Sequence, residues 1–199
     1  MPYNRDVFWD QFAKAFTTPA PSVKDGLNYL LDRIEQDTAS WPNIRCVAYG
    51  LATFQWETAG TFQPAIERGP RSYFEKYEPG TRIGKTLGNT KAGDGFLFRG
   101  RGYVQITGRA NYTHDGELLG IDLAGNPDLA LKPDIAYQIA ARGMNEGWFT
   151  GHRFSAYFPD NRPPNYTGAR RIINPGDAKS VAPIAAAAKK LEAILKAAS

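Results

Sequence analysis

One cysteine, Cys46, stands in 199 residues, so no disulfide framework holds this chain. Cys46 lies in the apolar stretch from Ile44 to Ala48, where a buried structural thiol is expected rather than a nucleophile. Histidine is nearly as scarce. His114 and His152 are the only two, without HxxxH or HExxH spacing, so no metal and no other cofactor is expected. No GxxxxGKS or GxxxxGKT motif occurs, and GRGYVQ does not complete GxGxxG, which leaves nucleotide binding without support. Lysines and arginines never form the runs seen in nucleic-acid arms, so no nucleic-acid partner is expected. No apolar run is long enough to cross a membrane, and the opening MPYNRDVFWDQF lacks the apolar core of a signal peptide. The expectation is a protein without membrane insertion that accumulates in the cytoplasm of the cell making it.

What is present fits one folded domain over residues 1–199, with no repeat, linker or low-complexity segment. Hydrophobic residues make up 42% and aromatic residues 13%, including 4 Trp and 10 Tyr. That is more aromatic surface than a minimal core needs, and sugar-binding clefts use such rings as platforms. The net charge of +4 and pI near 9.1 suit an anionic partner such as a bacterial envelope.

In chain order, residues 5–16 place Val7, Phe8, Phe12 and Phe16 near one helical face. Ser22 is expected to cap a second helix bearing Val23, Leu27, Leu30, Leu31 and Ile34. A third runs from about Ile44 to Glu57, and Pro70 opens a short one. Residues 80–95, GTRIGKTLGNTKAGDG, read as a long irregular loop, with Asp94-Gly95 as a turn. FLFRGRGYVQITG, residues 96–108, reads as a strand-like passage whose glycines spare room for a ligand, with a small β element at 96–106. A helix begins at Gly108–Tyr112 and ends near Leu119-Gly120, another runs from Pro133 to Gly151, and Asp177 is expected to cap the last. The fold class is mainly α with a small β-hairpin element lining a cleft.

The stretch Trp56–Gly69, WETAGTFQPAIERG, carries the chemistry. Glu57 and Glu67 stand ten residues apart with Gly60 and Pro64 between them, so they cannot share one helix. Glu57 ends an apolar helix, where partial burial would raise its pKa; Glu67 lies on the following loop. Two carboxyls in different surroundings are what glycoside hydrolysis needs, one protonated and one ionised. The plain alternatives are a surface glutamate at a helix end for Glu57 and an ion pair with Arg68 for Glu67.

WETAGTFQPAIERG, followed by EKYEPGTRIGKTLGNTKAGDGFLFRGRGYVQITGRANY, resembles the family 19 glycoside hydrolases, and most of all their bacteriophage endolysin, chitinase-like branch. The likeness covers roughly residues 40–180 by element order, with motif matches at 51–112. The branch often has His before the acid, where this chain has Trp56. The resemblance implies a lysozyme-like fold and hydrolysis of β-1,4 links between N-acetylated amino sugars. It implies Glu57 as general acid, Glu67 as the second carboxylate with Glu75 as runner-up, and Thr107 as a holder of the catalytic water. Gln105 and Asn111 fall where the family contacts substrate, and Asn174 in RRIINPG matches a later cleft asparagine. Tyr103 is a candidate sugar platform, and Trp148 and Phe149 fit core packing better. Arg101, like Arg99, is a candidate contact to substrate or to a catalytic-loop carboxylate.

The resemblance also implies inversion, with carboxyls about 6.5–9.5 Å apart. The partner expected is peptidoglycan, cut by a monomer held in the host cytoplasm until release. A chitinase, a toxin delivered between bacteria and a non-catalytic glycan-binding module are the competing readings.

Overall fold

Every side chain from Cys46 to Phe54 is buried in the computed structural model, which describes residues 2–199. A helix that is apolar on all faces belongs inside a protein. This one, α3 (Ile44–Glu57), is central to the first of two compact units, made of the residues up to Phe62 together with Ala141–Ser199. Its start is set by Asn43, whose side chain accepts from the N–H groups of Arg45 and Cys46. Gly50 has a steric reason: a Cβ there would lie 2.4 Å from the Trp41 ring. Cys46 is the buried thiol expected, and burial pushes it up to about 12.

Around α3 the unit places α1 (Arg5–Ala15), α2 (Pro21–Gln36), α8 (Phe154–Tyr157) and α9 (Ala178–Ala198). The longest of these, α9, packs along α3 and also against α1, and buries Ile184, Ala188, Leu191 and Leu195. Two capping expectations are corrected. Ser22 lies inside α2, because Pro21 takes the first helical position and Ala20 becomes the cap. Asp177 does stand at the cap position of α9, but its side chain makes no capping bond.

The second unit, Gln63–Ala140, contains the only sheet among the described residues. β1 (Ala65–Ile66) pairs antiparallel with β2 (Arg101–Gly102), Ala65 opposite Gly102 and Ile66 opposite Arg101. The mainly helical class with a small antiparallel β element is therefore as expected. Its bounds are not: residues 94–97 form a helical turn, α5 (Asp94–Leu97), and the strand is two residues long. Positive φ at Gly102 and Gln105 folds the following residues into a turn instead of extending them.

Residues 80–95 are likewise not an irregular loop. They hold α4 (Arg82–Thr86), capped by Thr81 Oγ1 accepting from the Gly84 N–H at 2.8 Å, and the start of α5. A 3-10 helix, Arg71–Tyr77, precedes them. The glycines serve backbone packing: a Cβ on Gly84 would lie 2.0 Å from the Glu78 carbonyl, and one on Gly95 2.5 Å from that of Phe74. α6 (Arg109–Leu119) ends at left-handed Gly120, where expected. After a 3-10 turn at Pro127–Leu131 comes α7 (Pro133–Glu146), within which the chain passes from the second unit to the first. It stops at Gly147 with φ +86°, short of the Gly151 expected.

Asp94 ties the second unit together. Its carboxylate accepts from the N–H groups of Thr90 and Lys91 at 2.8 and 2.9 Å and from Arg109 Nε at 2.8 Å. Burial alone would raise this carboxyl, but Arg109 and the backbone donors outweigh it and hold it down at about 2. A depressed pKa contributes stability that is complete above the unfolded value and is lost as the pH falls through the folded one. Asp94→Asn is therefore expected to cost about 2 kcal/mol at neutral pH. It should also flatten the loss of stability between about pH 4 and pH 2, as read from urea unfolding across that range.

Candidate active site

Glu57 is the last residue of α3. Its side chain is 15% exposed, and its Oε1 lies 2.8 Å from Nη2 of Arg170, itself buried on the 3-10 helix Gly168–Ile172. The contact is an ion pair by distance, yet Glu57 Oε1 has no well-directed hydrogen bond from the protein, and neither have Nε and Nη1 of Arg170. Nη2 of Arg170 also reaches Asp177 Oδ2 at 3.0 Å, which explains why Asp177 does not cap α9. Glu57, Arg170 and Asp177 thus form an acid–base–acid row with the buried guanidinium at its centre and the two acids partly exposed.

Burial raises the Glu57 pKa above the ordinary carboxylate value; the Arg170 guanidinium opposes that, and Asp177 adds to it. The net upward direction is what a general acid requires. The chain after Glu57 is fixed tightly. Thr58 Oγ1 donates to the Phe54 carbonyl at 2.7 Å and accepts from the Phe62 N–H at 3.0 Å. Ala59 and Phe62 both hold φ of +52°, a conformation that costs on the order of 1 kcal/mol or more for a residue with a side chain. Trp56, 43% exposed, borders an open apolar cavity of about 390 Å³ with Gln55, Gly60 and Pro183.

Glu67 belongs to the second unit and directly follows β1. Its N–H donates to the Gly100 carbonyl at 2.8 Å, extending the β1–β2 ladder by one bond. Its Oε2 accepts from the Gly100 N–H at 3.1 Å and its Oε1 from the Tyr77 hydroxyl at 3.1 Å. A Cβ on Gly100 would stand 3.3 Å from that of Glu67, so only glycine permits this grip without displacement. Burial and the charge of Glu67 push the Tyr77 phenol upward, which keeps it a donor. Both oxygens of a half-buried carboxylate are thereby oriented, as a group that must aim a water requires.

The other residues singled out from sequence separate clearly. Gln105 is not on a strand; with φ +56° its side chain turns back, and Nε2 donates to the carbonyls of Ala65 and Gly102 at 2.9 and 3.1 Å. It therefore does not share a strand face with Thr107, and it braces the β1–β2 turn. Thr107 is half-buried and donates to the Gln105 carbonyl at 3.0 Å, which leaves its oxygen lone pairs as acceptors. Asn111 is exposed and donates to the Thr107 carbonyl at 2.7 Å.

Arg101 is 3% exposed and committed to Asp128 at 2.9 Å, to the Leu97 and Arg99 carbonyls and to the Tyr112 hydroxyl, so it reaches neither a catalytic-loop carboxylate nor a ligand. Tyr103 is 1% exposed and offers no ring face to a sugar. Glu75 is exposed on the 3-10 helix Arg71–Tyr77. Asn174 is exposed on the turn after Arg170, its Oδ1 accepting from the Gly176 N–H. Trp148 and Phe149 are half-buried, with Phe149 against Gly143. Among the described residues, no group of three or more His, Cys, Asp or Glu could hold a metal ion.

Sequence reasoning missed Arg170, Asp177 and Tyr77. Nothing in the chain ties an Arg-Arg pair near the C-terminus to a glutamate at the end of α3. Asp177 before a helix reads as a cap, and a tyrosine two residues past Glu75 reads as packing.

No family model matches the chain. A glycosyl hydrolase family 19 domain-containing protein of Haemophilus influenzae is 46% identical over 55 residues, 25% of this chain and 28% of that protein. Chitinase 8 of Oryza sativa subsp. japonica is 56% identical over 115 residues, 44% of this chain and 42% of that protein. An acidic 27 kDa endochitinase of Solanum lycopersicum is 35% identical over 91 residues, 40% of this chain and 37% of that protein. The chain thus spans less than half the length of each. Among solved structures, chitinase C from Streptomyces griseus superposes with a TM-score of 0.58 at 20% identity, covering 95% of this chain and 75% of that one. A bacterial family 19 chitinase gives 0.53 at 17% identity, covering 96% of this chain and 94% of that one. The resemblance to family 19 is shown by these relatives over part of the sequence, and by the structures as a shared lysozyme-like fold.

The acid–base–acid row makes a signed prediction. Asp177 raises the Glu57 pKa, so Asp177→Asn should lower it and leave Arg170 to Glu57 alone. The alkaline limb of the kcat/KM profile should move to lower pH. Arg170→Gln removes the opposing charge and should move that limb to higher pH, with a stability loss of about 3–5 kcal/mol for a broken buried pair. Limbs that move together, or not at all, would remove the row from control of the acid.

Proposed function

We infer that this chain, which carries the fold of the family 19 glycosyl hydrolases, cleaves β-1,4 links between N-acetylated amino sugars and acts on the glycan strand of bacterial peptidoglycan as an endolysin. The observation that carries this is Glu57, a buried carboxyl with a raised pKa at the end of an apolar helix, paired with Arg170. Glu57 protonates the glycosidic oxygen as the bond opens. Arg170 and Asp177 set how far its proton is held. Glu67, aimed by Gly100 and Tyr77, accepts a proton from a water attacking the anomeric carbon, and Thr107 helps hold that water. The anomeric configuration inverts. The protein acts as a monomer once it reaches the wall. The basic pI and the branch-like spacing of Glu57 and Glu67 support an anionic wall polymer over a neutral one.

A second reading, hydrolysis of chitin, is favoured by the rice and tomato relatives, which are chitinases. The chemistry is the same and the polymer lacks carboxylates.

The test is turbidity loss of outer-membrane-stripped Gram-negative walls, with mass spectrometry of the fragments and proton NMR of the new reducing ends. Wild type is expected to lyse the walls and release α-anomers first. Glu57→Gln and Glu67→Gln should each lose on the order of 10²–10⁴ in rate. Tyr77→Phe removes one of the two donors to Glu67 and should cost about tenfold in kcat. Lysis unchanged by Glu57→Gln would sink the mechanism. Chitin oligomers cut with walls intact would move the substrate to chitin. Binding without turnover of either polymer would make the chain a glycan-binding module.

A further inference from the structure

Residues 68–99 contain seven Lys or Arg and three Asp or Glu, a local excess of +4 equal to the formal charge of the whole chain. Two of the three acids are already engaged. Glu78 accepts from the N–H groups of Gly93 and Gly95, and Asp94 is paired with Arg109. The positive charge of this stretch is therefore poorly neutralised from within.

Two of its arginines share one aromatic ring. The Arg99 guanidinium lies 3.9 Å from the Phe96 ring centre, and its Nη1 donates to the Phe96 carbonyl at 2.6 Å. The Arg71 guanidinium lies 5.1 Å from the same ring. Neither has a carboxylate at ion-pair distance among the described residues, unlike Arg101 and Arg109 of the same unit. The carboxylates nearest in electrostatic effect to Arg99 are Asp128 and Glu67. Asp128 is taken by Arg101, and Glu67 by Tyr77 and Gly100.

The guanidiniums of Arg71 and Arg99 are both held against one ring, and Arg99 stands beside the further positive charge of Arg101. Stacking on Phe96 fixes their planes and leaves further N–H donors of Arg99, and all those of Arg71, without a protein carboxylate. Planar, pre-oriented guanidiniums suit a carboxylate ligand. The position matters too, because Arg99 immediately precedes Gly100, the residue that grips Glu67 through both its N–H and its carbonyl.

We propose that Arg71 and Arg99, held against Phe96, form a binding site for carboxylates of the substrate, and that this site makes the protein prefer an anionic glycan to a neutral one. The ligand's identity rests on the peptidoglycan reading above. In that polymer free carboxylates come from the stem peptides, or from the lactyl groups of sugars whose peptides have been removed. Chitin offers neither.

The test is calorimetric binding to Glu57→Gln protein of three soluble glycans of equal length. One is a peptide-bearing peptidoglycan fragment, one the same fragment stripped of peptides by an amidase, and one a neutral N-acetylglucosamine oligomer. The peptide-bearing fragment should bind at least about tenfold tighter than the neutral oligomer, by a margin that shrinks as salt is raised. Adding Arg99→Gln or Arg71→Gln should remove most of that margin and leave the neutral oligomer unchanged. Arg99→Lys should restore part of it, and Lys85→Gln, a solvated cation of the same stretch, should leave it intact. Preference lost on stripping assigns the site to stem-peptide carboxylates; preference kept by the stripped fragment, whose lactyl carboxylates the amidase has freed, shows that the site takes a carboxylate from either source.

Equal binding of all three glycans, binding of none at millimolar concentration, or an equal loss for all three in Arg99→Gln would overturn the site. Charge preference without cleavage of peptidoglycan by wild type would overturn the hydrolase reading and leave the site standing. Cleavage without charge preference would do the reverse.

Discussion

Burying an ionisable carboxyl at the end of an apolar helix is the constraint on which the first unit depends. Desolvation disfavours the charged form of Glu57, and the structure opposes it with one guanidinium that is itself shared with Asp177. Burial is the larger influence, Arg170 opposes it, and Asp177 on the same guanidinium adds to the rise, at the cost of buried arginine nitrogens without hydrogen-bond partners. The burial of α3, the contact with α9 and the 3-10 turn that carries Arg170 all serve to hold this row.

The second unit solves a different problem by different means. Glu67 is oriented by direct donors, the Gly100 N–H on one oxygen and the Tyr77 hydroxyl on the other. A two-residue strand would be a weak element alone, but here its ladder continues into Glu67 and is braced by Gln105 from the far side of the turn. Glycines make this possible: Gly100 lets the chain approach Glu67, and Gly102 takes the positive φ of the turn. The space they save is occupied by the protein itself, the Gln105 and Glu67 side chains at Gly100 and the Ala130 carbonyl at Gly102. Below this, Asp94 and Arg109 pin residues 90–94 to α6, and that pin allows so glycine-rich a segment to hold one shape.

How far the sequence could be read depended on the range of the interaction. Where one apolar face or one glycine end decided the matter, as for the buried run of α3 or α6 with Gly120, the chain was legible, whereas the caps Ser22 and Asp177 were misread. Residues 80–108 were misread because glycine carries no periodic signal, so short helices and a tight turn looked like a loop and a strand. Arg101 and Tyr103 looked available for sugar because alternation on a strand would have exposed them; the turn at Gln105 and the ion pair with Asp128 bury them instead.

The sequence alone determined the two carboxylates and their separation into a helix end and a loop, because Gly60 and Pro64 forbid one helix and an apolar run must be buried. It also determined the mainly helical class. Only the tertiary structure decided what each carboxylate faces. Arg170 and Asp177 reach Glu57, and Tyr77 and Gly100 reach Glu67, through contacts between segments that the chain's local pattern does not connect. Propensity and periodicity act over a few residues, whereas the protonation of a buried acid is set by whichever charges the fold brings within a few ångströms.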